Sequence, residues 1–407
     1  MKALLFSVSA PKFIALKIVG VISKKLYYRG PFPTIRMVEV PEPEPPSPEW
    51  VKIRTHLCGF CGSDQNLIFL KDSPSASPFT SFPCIPGHEL SGEIVAAGKD
   101  AGGLKAGDRI CISPGLPCAA RGINPPCRSC RMGRFGACEN TAAGNLSPGM
   151  FTGICRDVGG GFAPYLVAHK SQVHRLPEGI SPEEGALMEP LGVTLQAVWD
   201  NRPEDSDKVL IIGGGVIGNL LVQSIRALGS GCRITVSEPS PFHGRLALKA
   251  GADHLISDGD IFGQAEKTTG ARRYRPMFGP DMLMGGFDRI YDAVGHQDTI
   301  RTSMRALAGG NGTLSIVGIG NAVKVDPTPL WLKLQTIKGA YGHSEVAMDG
   351  KSVHVFDLAL RLAAEKKVDL KAMITHKFRL NQYQDLIELN MDKAGNQAVK
   401  TAFSFTS

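Results

Sequence analysis

The sequence predicts an α/β protein in which an irregular, β-rich portion is joined to a doubly wound parallel sheet. The first ground is the N-terminal half. It is rich in proline and glycine and holds short apolar runs, Trp50 to Thr55, Gly92 to Ala97, Arg109 to Ser113 and Ala163 to Ala168, which read as strands separated by turns. The second ground is the change of pattern from Lys208 onward, where apolar strands alternate with helical stretches. Alternation of this kind builds a parallel sheet with helices on both faces. A chain of 407 residues suits two or three domains.

Within the alternating portion, Val209 to Ile212 reads as a buried strand and Val216 to Leu228 as a helix ended by Gly229. Ile234 to Val236 is the next strand, followed by His254 to Ile256, Arg289 to Ala293, Thr313 to Val317 and Thr336 to Ala340. Phe262 to Gly286 is polar and glycine-rich, carries Arg272, Arg273 and Arg275, and reads as a surface insertion. A last helix is expected over Val353 to Lys366. The N-terminal stretch Phe13 to Ile22 is apolar but contains Lys17 and falls short of the ~20 residues a membrane span needs. It reads as a short amphipathic surface helix. No small-residue cleavage pattern follows it, so a cytosolic protein without a secretory leader is expected.

Composition narrows the class further. Hydrophobic residues make up 43% and charged residues 20%, which excludes a disordered chain. The net charge of +7 is modest at this length and forms no basic block dense enough to argue for nucleic acid.

Gly213, Gly215 and Gly218 spell G-x-G-x-x-G between a strand and a helix. The first glycine permits a tight turn, the second lets the backbone approach a pyrophosphate, and the third lets helix and strand pack closely. The helix N-terminus offers its free N–H groups to the phosphates. Glu238 follows at the end of the next strand, where an acid accepts hydrogen bonds from both ribose hydroxyls and repels a 2′-phosphate. NAD is therefore expected before NADP, although His243 and Arg245 stand close enough in sequence to reach a 2′-phosphate. The residues expected at the cofactor are Gly213, Gly215, Val216, Ile217, Gly218, Glu238, His243, Val294, Gly295, Val317 and Gly318.

Ten cysteines are unevenly spread. Cys127-x-x-Cys130 and Cys138 supply three thiolates on closely spaced turns, and Cys118 is the expected fourth. Tetrahedral zinc favours such a set, and four protein ligands leave no open position, so this is read as a structural site. A second constellation, Cys61-Gly62-Ser63-Asp64 with Gly87-His88-Glu89 downstream, mixes a thiolate, an imidazole and carboxylates. That mixture suits a catalytic zinc with an exchangeable position.

With these residues in order the chain resembles the zinc-containing medium-chain dehydrogenases, the family of alcohol, sorbitol, threonine and glucose dehydrogenases. The matching motifs are Cys61 to Asp64, Gly87-His-Glu-Leu-Ser-Gly92, Lys105-Ala-Gly-Asp-Arg109, the cysteine lobe, Glu189-Pro-Leu191 and Gly213 to Gly218. The resemblance implies a GroES-like catalytic domain over residues 1–192 and 339–407, with a Rossmann domain over 193–338 inserted between them and the active site in the cleft. It implies Cys61 and His88 as zinc ligands, Glu89 as a ligand or exchangeable near-ligand, and Glu189 as a further ligand, direct or through water. Asp64 would hold His88 and fix its tautomer. Ser63 would pass the substrate proton toward the cofactor ribose. The expected reaction is hydride transfer between an alcohol and nicotinamide, with zinc as Lewis acid. A homodimer or homotetramer acting on a small alcohol or carbonyl substrate is implied as well. A dismutating or aldehyde-oxidising member of the family, and a binding protein that kept the fold without the chemistry, are the alternatives.

Three departures from the family pattern stand out. Asn124 occupies the usual place of the first lobe cysteine, so Cys118 must reach over an enlarged loop. Pro11 to Pro31 forms an N-terminal insertion. Asn66 replaces a histidine that often follows the Cys-Gly-Ser-Asp motif, so the proton is expected to leave through ordered water. Phe60, Phe79, Phe82 and Trp331 either line an apolar pocket or belong to the core.

Overall fold

The structure, a computed structural model, describes residues 1–348 and 350–405. It divides into two compact units. One comprises Met1–Glu189, Gly342–Glu365 and Leu370–Ser407, and the other Pro190–Tyr341 with Lys366–Asp369. The second unit runs a few residues beyond the expected 193–338 at both ends. It also takes 366–369, because the backbone of Asp369 exchanges two hydrogen bonds with the side chain of Gln223.

The first unit is built on a seven-stranded sheet. Its order is Ile374–Phe378, Lys400–Ser404, Trp50–Gly59, Glu89–Ala97, Arg109–Ile112 and Val173–Arg175, with Tyr165–His169 paired to the N-terminal half of Trp50–Gly59. Trp50–Gly59 is the longest strand, longer than the run Trp50 to Thr55 alone suggests, because Leu57, Cys58 and Gly59 continue the pairing with Glu89–Ser91 and with Ala402–Ser404. Ile53, Ile94, Ile110 and Leu166 fill the core beneath it.

The second unit is a six-stranded sheet in the order His254–Ile256, Arg233–Ser237, Lys208–Ile212, Arg289–Asp292, Thr313–Ile316 and Thr336–Gly339. Every neighbouring pair is parallel. Its strands carry Val209 to Ile211, Ile234, Val236, Ile290 and Leu314, all buried, as a sheet covered on both faces requires.

Three elements depart from expectation. The stretch 262–286 is more ordered than an insertion of surface loop. The helix Ile261–Thr269 and the hairpin of Arg272–Tyr274 with Met282–Met284 occupy it, held by buried Ala265, Ala271 and Leu283. The last helix starts at Val355, two residues late, because Lys351–His354 pairs as a strand and His354 Nδ1 then caps the N–H of Phe356. The N-terminal helix spans Ala10–Val19 and buries only Leu16, so most of its apolar side chains face outward.

Candidate functional site

Strand register assembles the first cluster. Gly59 pairs with Glu89 across the antiparallel ladder, which sets Cys61, two residues beyond the strand, beside His88 and Glu89. Gly59 is required there, since a Cβ would lie 2.3 Å from Glu89 Oε2. Cys61 then starts the helix Gly62–Ile68, and Asp64 in its first turn accepts the Cys61 N–H at 2.9 Å. The other Asp64 oxygen lies 3.7 Å from His88 Nδ1, beyond hydrogen-bond reach, so the carboxylate holds the cysteine backbone and faces the imidazole as a charge. Ser63 Oγ is 3.4 Å from His88 Nε2. One donor atom each from Cys61, His88 and Glu89 lies within 4.8 Å of the others.

Lys400 completes this cluster. Its strand pairs with Trp50–Gly59 two places on, and its Nζ lies 2.6 Å from both oxygens of Glu89, with each side chain 2% exposed. Burial alone would raise the Glu89 carboxyl. The Lys400 and His88 charges outweigh it and hold the group below its usual value.

Glu189 stands at the start of the helix Met188–Asp200, outside the tight donor group, with Oε1 3.5 Å from His343 Nε2. Burial first, and the charges of Glu89 and Asp64 among its further causes, push its carboxyl up to about 7. Burial brings the His343 imidazole down to about 3. Burial also works against protonating His88, yet Asp64, Cys61 and Glu189 raise it well above the ordinary histidine range. A thiol, an imidazole and a carboxylate within ligand reach of one another supply a donor set that fits zinc.

The second cluster brings Cys118, Cys127, Cys130 and Cys138 within the same 4.8 Å reach. Cys118 and Cys138 Sγ are 3.7 Å apart. The enlarged loop doubles back at once, with Arg121 N–H and Ile123 N–H both donating to the Cys118 carbonyl. Five groups donate to the sulfurs. The Cys127 N–H and Asn140 Nδ2 bond Cys118 at 3.3 Å, the Cys130 and Glu139 N–H groups bond Cys127, and the Asn140 N–H bonds Cys138. Burial works to raise the Cys127 thiol, but the hydrogen bonds from Glu139, Cys130 and Cys118 outweigh it and bring it down to about 7. Burial wins at Cys130 and Cys138, whose thiols are raised, so of these three the donors favour a thiolate only at Cys127 until a metal draws the others; four sulfurs within this reach fit a closed zinc site. Arg121, fully buried, ties the surrounding loop by donating to the carbonyls of Leu116, Ala143, Leu146, Ser147 and Gly149.

In the second unit the three fingerprint glycines occupy distinct surroundings. Gly213 takes φ +94°, Gly215 has open space where a side chain would be, and a Cβ on Gly218 would lie 1.8 Å from the Gly213 carbonyl. Val216 and Ile217 open the helix that follows. Glu238 is pinned by two backbone amides, Gly214 N–H and Ser240 N–H, each at 2.7 Å. Asp292 Oδ1 accepts the N–H groups of Val294 and Gly295, and its carbonyl accepts those of Val317 and Gly318, so one buried residue sets both neighbouring loops. A cavity of about 410 Å³ is lined by Gly213, Glu238, Val294, and by Ile261, Asp298, Thr299 and Thr302. His243 is buried in the first turn of the helix Pro241–Lys249, whereas Arg245 is exposed.

Lys400, His343, Arg121 and Asp292 went unread in the sequence. Only Lys400 left a signal there, as a lone cation inside the apolar run Ala398 to Phe403. The aromatic residues divide. Phe60 stacks on Phe162 in the core and Phe82 packs edge-on against Phe6, while Phe79 and Trp331 are exposed.

Two family descriptions match the chain, the alcohol dehydrogenase GroES-like domain over residues 47–178 and the zinc-binding dehydrogenase over residues 216–364. Sorbitol dehydrogenase of Arabidopsis thaliana is 27% identical over 362 residues, covering 88% of this chain and 89% of that protein. (R,R)-Butanediol dehydrogenase of Bacillus subtilis (strain 168) is 28% identical over 364 residues, covering 87% and 91%. Among solved structures, a zinc-binding dehydrogenase of Sinorhizobium meliloti 1021 bound to NADP matches with a TM-score of 0.69 at 27% identity, covering 91% and 95%. The chain belongs to the zinc-dependent medium-chain dehydrogenase family, as a GroES-like domain joined to a Rossmann-type parallel sheet. It is an oxidoreductase of that family, and its relatives are alcohol and polyol dehydrogenases.

Proposed function

We propose that the protein oxidises the secondary hydroxyl of a small polyol or diol, and reduces the matching ketone, with NAD(H). The observation that carries the reading is the donor group of Cys61, His88 and Glu89, with Glu89 held by Lys400, on a chain whose second unit carries the glycine fingerprint and Glu238. When bound, zinc supplies a Lewis acid for the substrate oxygen and nicotinamide the hydride acceptor.

The chain's own residues do the rest. Cys61 and His88 hold the metal. Asp64 faces the His88 ring, Lys400 would keep Glu89 in place beside a bound metal, and His343 holds Glu189, which could reach the metal only as a further ligand. Ser63 takes the proton from the substrate hydroxyl and passes it on, since a hydroxyl both accepts and donates. With Asn66 in place of a histidine, the onward path is ordered water. Cys118, Cys127, Cys130 and Cys138 hold a second, structural zinc.

A polyol is favoured over a bulky aromatic alcohol on two grounds. The relatives named above act on sorbitol and butanediol, and Phe60 and Phe82 are committed to the core. A panel of sorbitol, 2,3-butanediol and benzyl alcohol, followed by NADH absorbance, tests this. Faster turnover of benzyl alcohol would overturn it, and conversion of aldehyde without net NADH change would favour the dismutating reading. The NAD preference rests on Glu238. In Glu238→Ala, kcat/KM for NAD should fall about tenfold relative to NADP, as the loss of a paired hydrogen-bond acceptor predicts. A parent that prefers NADP, the cofactor of the Sinorhizobium relative, would transfer the role to Arg245.

A homo-oligomer fits the edge strand Thr336–Gly339, beside which Trp331, Leu332 and Leu334 are exposed. No described helix is long and apolar enough to cross a membrane. Ten unpaired cysteines suit a reducing compartment such as the cytosol.

A further inference from the structure

We propose that the N-terminal helix and the turn after it seat this protein on the surface of an anionic lipid bilayer. The helix Ala10–Val19 has an apolar row on its outer side. Ile14 and Ile18 lie one helical turn apart and are 60% and 67% exposed, and in the turn just past the helix Val21 and Ile22 are each 86% exposed. Isolated exposed apolar residues are ordinary, but a contiguous row of them marks an interaction surface.

The row is presented on a fixed support. The Tyr27 hydroxyl donates to the Leu16 carbonyl, and Gly20 lies so close to the Tyr27 ring that a Cβ would fall 2.4 Å from it. Tyr28, fully buried, donates its hydroxyl to Glu388. The helix and the short 3₁₀ turn Lys24–Tyr27 therefore form a small hairpin docked on the first unit by its inner side. Its outer side carries the isoleucines.

Charge selects the occupant. Before Glu39 the chain carries Lys2, Lys12, Lys17, Lys24, Lys25, Arg29 and Arg36 and no acidic residue. Lys12 is used internally, on the carbonyls of Ser7 and Pro33, while Lys25 and Arg29 face Asp385 and Glu388 of the neighbouring helix. Lys17, beside Ile18 with its ammonium over the Phe13 ring, and Lys24, past Ile22, are exposed and have no acidic partner among the described residues. A second copy brought onto this face would set those lysines against their equivalents. Anionic headgroups take them instead, while the isoleucines enter the boundary between headgroups and acyl chains. The hairpin lies in the interface and crosses nothing, in keeping with its ten-residue helix.

Vesicle sedimentation of the full chain tests the proposal. Vesicles of phosphatidylcholine with roughly a third phosphatidylserine should carry down severalfold more protein than phosphatidylcholine alone, and high salt should release it. The paired substitution Ile18→Ser with Ile22→Ser should cut binding roughly tenfold. Both side chains are exposed, so the melting temperature should stay unchanged. In Ile22→Trp, a blue shift of the new emission on adding the anionic vesicles would place that position in the interface. No sedimentation overturns the proposal. So does undiminished binding by the serine variant, which would put the contact on another basic surface. Dissociation of a parent oligomer by the same variant also overturns it, because a second copy would then be what covers the row.

Discussion

The two cysteine clusters of the first unit stand on the same sheet-and-loop framework and differ in how they manage charge. Around Cys61 the donors are of mixed kind, acids and bases are interleaved, and a buried lysine holds one of the carboxylates. Around Cys118 every donor is sulfur, and the stabilisation comes from five neutral N–H groups and from a buried arginine that ties down the loop. On the proposed function, an exchangeable site needs carboxylates that can be held near the metal without being committed to it, and a fixed cation such as Lys400 would provide that. A closed site needs ligands that stay put, and neutral amide dipoles achieve this without adding a competing charge. The difference teaches that the two clusters part not only in their ligands but in the groups behind those ligands.

The largest effect expected from breaking this contrast is chemical. Cys61→Ala should lower kcat/KM on the order of a thousandfold or more, about 4 kcal/mol of lost transition-state stabilisation. NADH binding, followed by fluorescence, should survive, because the fingerprint glycines lie in the other unit. Retained turnover after metal depletion would remove the metal from the reaction.

Next in size is the buried ion pair. Lys400→Met should destabilise the metal-free protein by about 3 kcal/mol or more, since it strands the Glu89 charge in the core. Adding Glu89→Gln should recover most of that loss. If the single variant melts like the parent in denaturant, the cation is not what keeps Glu89 in place. At the sulfur site, Cys118→Ser should halve a zinc content of two per chain and lower the melting temperature by roughly 5 °C, because metal binding there is coupled to folding. Unchanged zinc would hand the fourth place to another ligand.

The smallest effect concerns acid. Burial, and the neighbouring His174 and His343, bring the His354 imidazole down to about 2, and its neutral Nδ1 is needed to cap Phe356. An unfolded histidine takes up a proton near pH 6.5. Stability is therefore intact above that pH and is lost as pH falls below it, where only the unfolded chain gains the proton. By pH 5 this amounts to about 2 kcal/mol. His354→Gln should flatten this part of the acid limb in a denaturant titration, and an unchanged limb would assign the acid sensitivity to other groups.

What the sequence revealed, and what it hid, follows from distance along the chain. The glycine fingerprint and the Cys127-x-x-Cys130 pair are local, so their spacing carries their geometry. Cys61 and His88 could be read together because two short motifs mark the ends of two paired strands. Lys400 lies 311 residues from Glu89 and His343 lies 154 from Glu189, and no local pattern encodes either meeting. Asp292 was hidden for another reason: it acts through the backbone amides of its own loop, and any strand-end aspartate looks the same in sequence. The helix near Phe13 was legible as a helix, but which side it turns outward depends on Tyr27 and Tyr28 packing beneath it. The stretch 262–286 reads as a surface insertion, and its helix and hairpin stayed hidden because its polar residues outnumber the three small and apolar side chains that fold it.

The pairing of Lys400 with Glu89 also sets a schedule for the growing chain. On a ribosome Glu89 and its strand emerge early, yet the cation that neutralises the carboxylate is encoded 311 residues later. At synthesis rates of about 10 residues per second, roughly half a minute passes in between. During that interval a half-built first domain must keep Glu89 hydrated, protonated or loosely paired, while the whole nucleotide-binding unit is made and free to fold. The strand that brings Lys400 then closes the sheet beside Trp50–Gly59 and completes the donor cluster in one event. A nascent chain released before residue 400 would thus hold the second unit and the four-cysteine lobe, but not the cation that completes the Cys61–His88–Glu89 cluster.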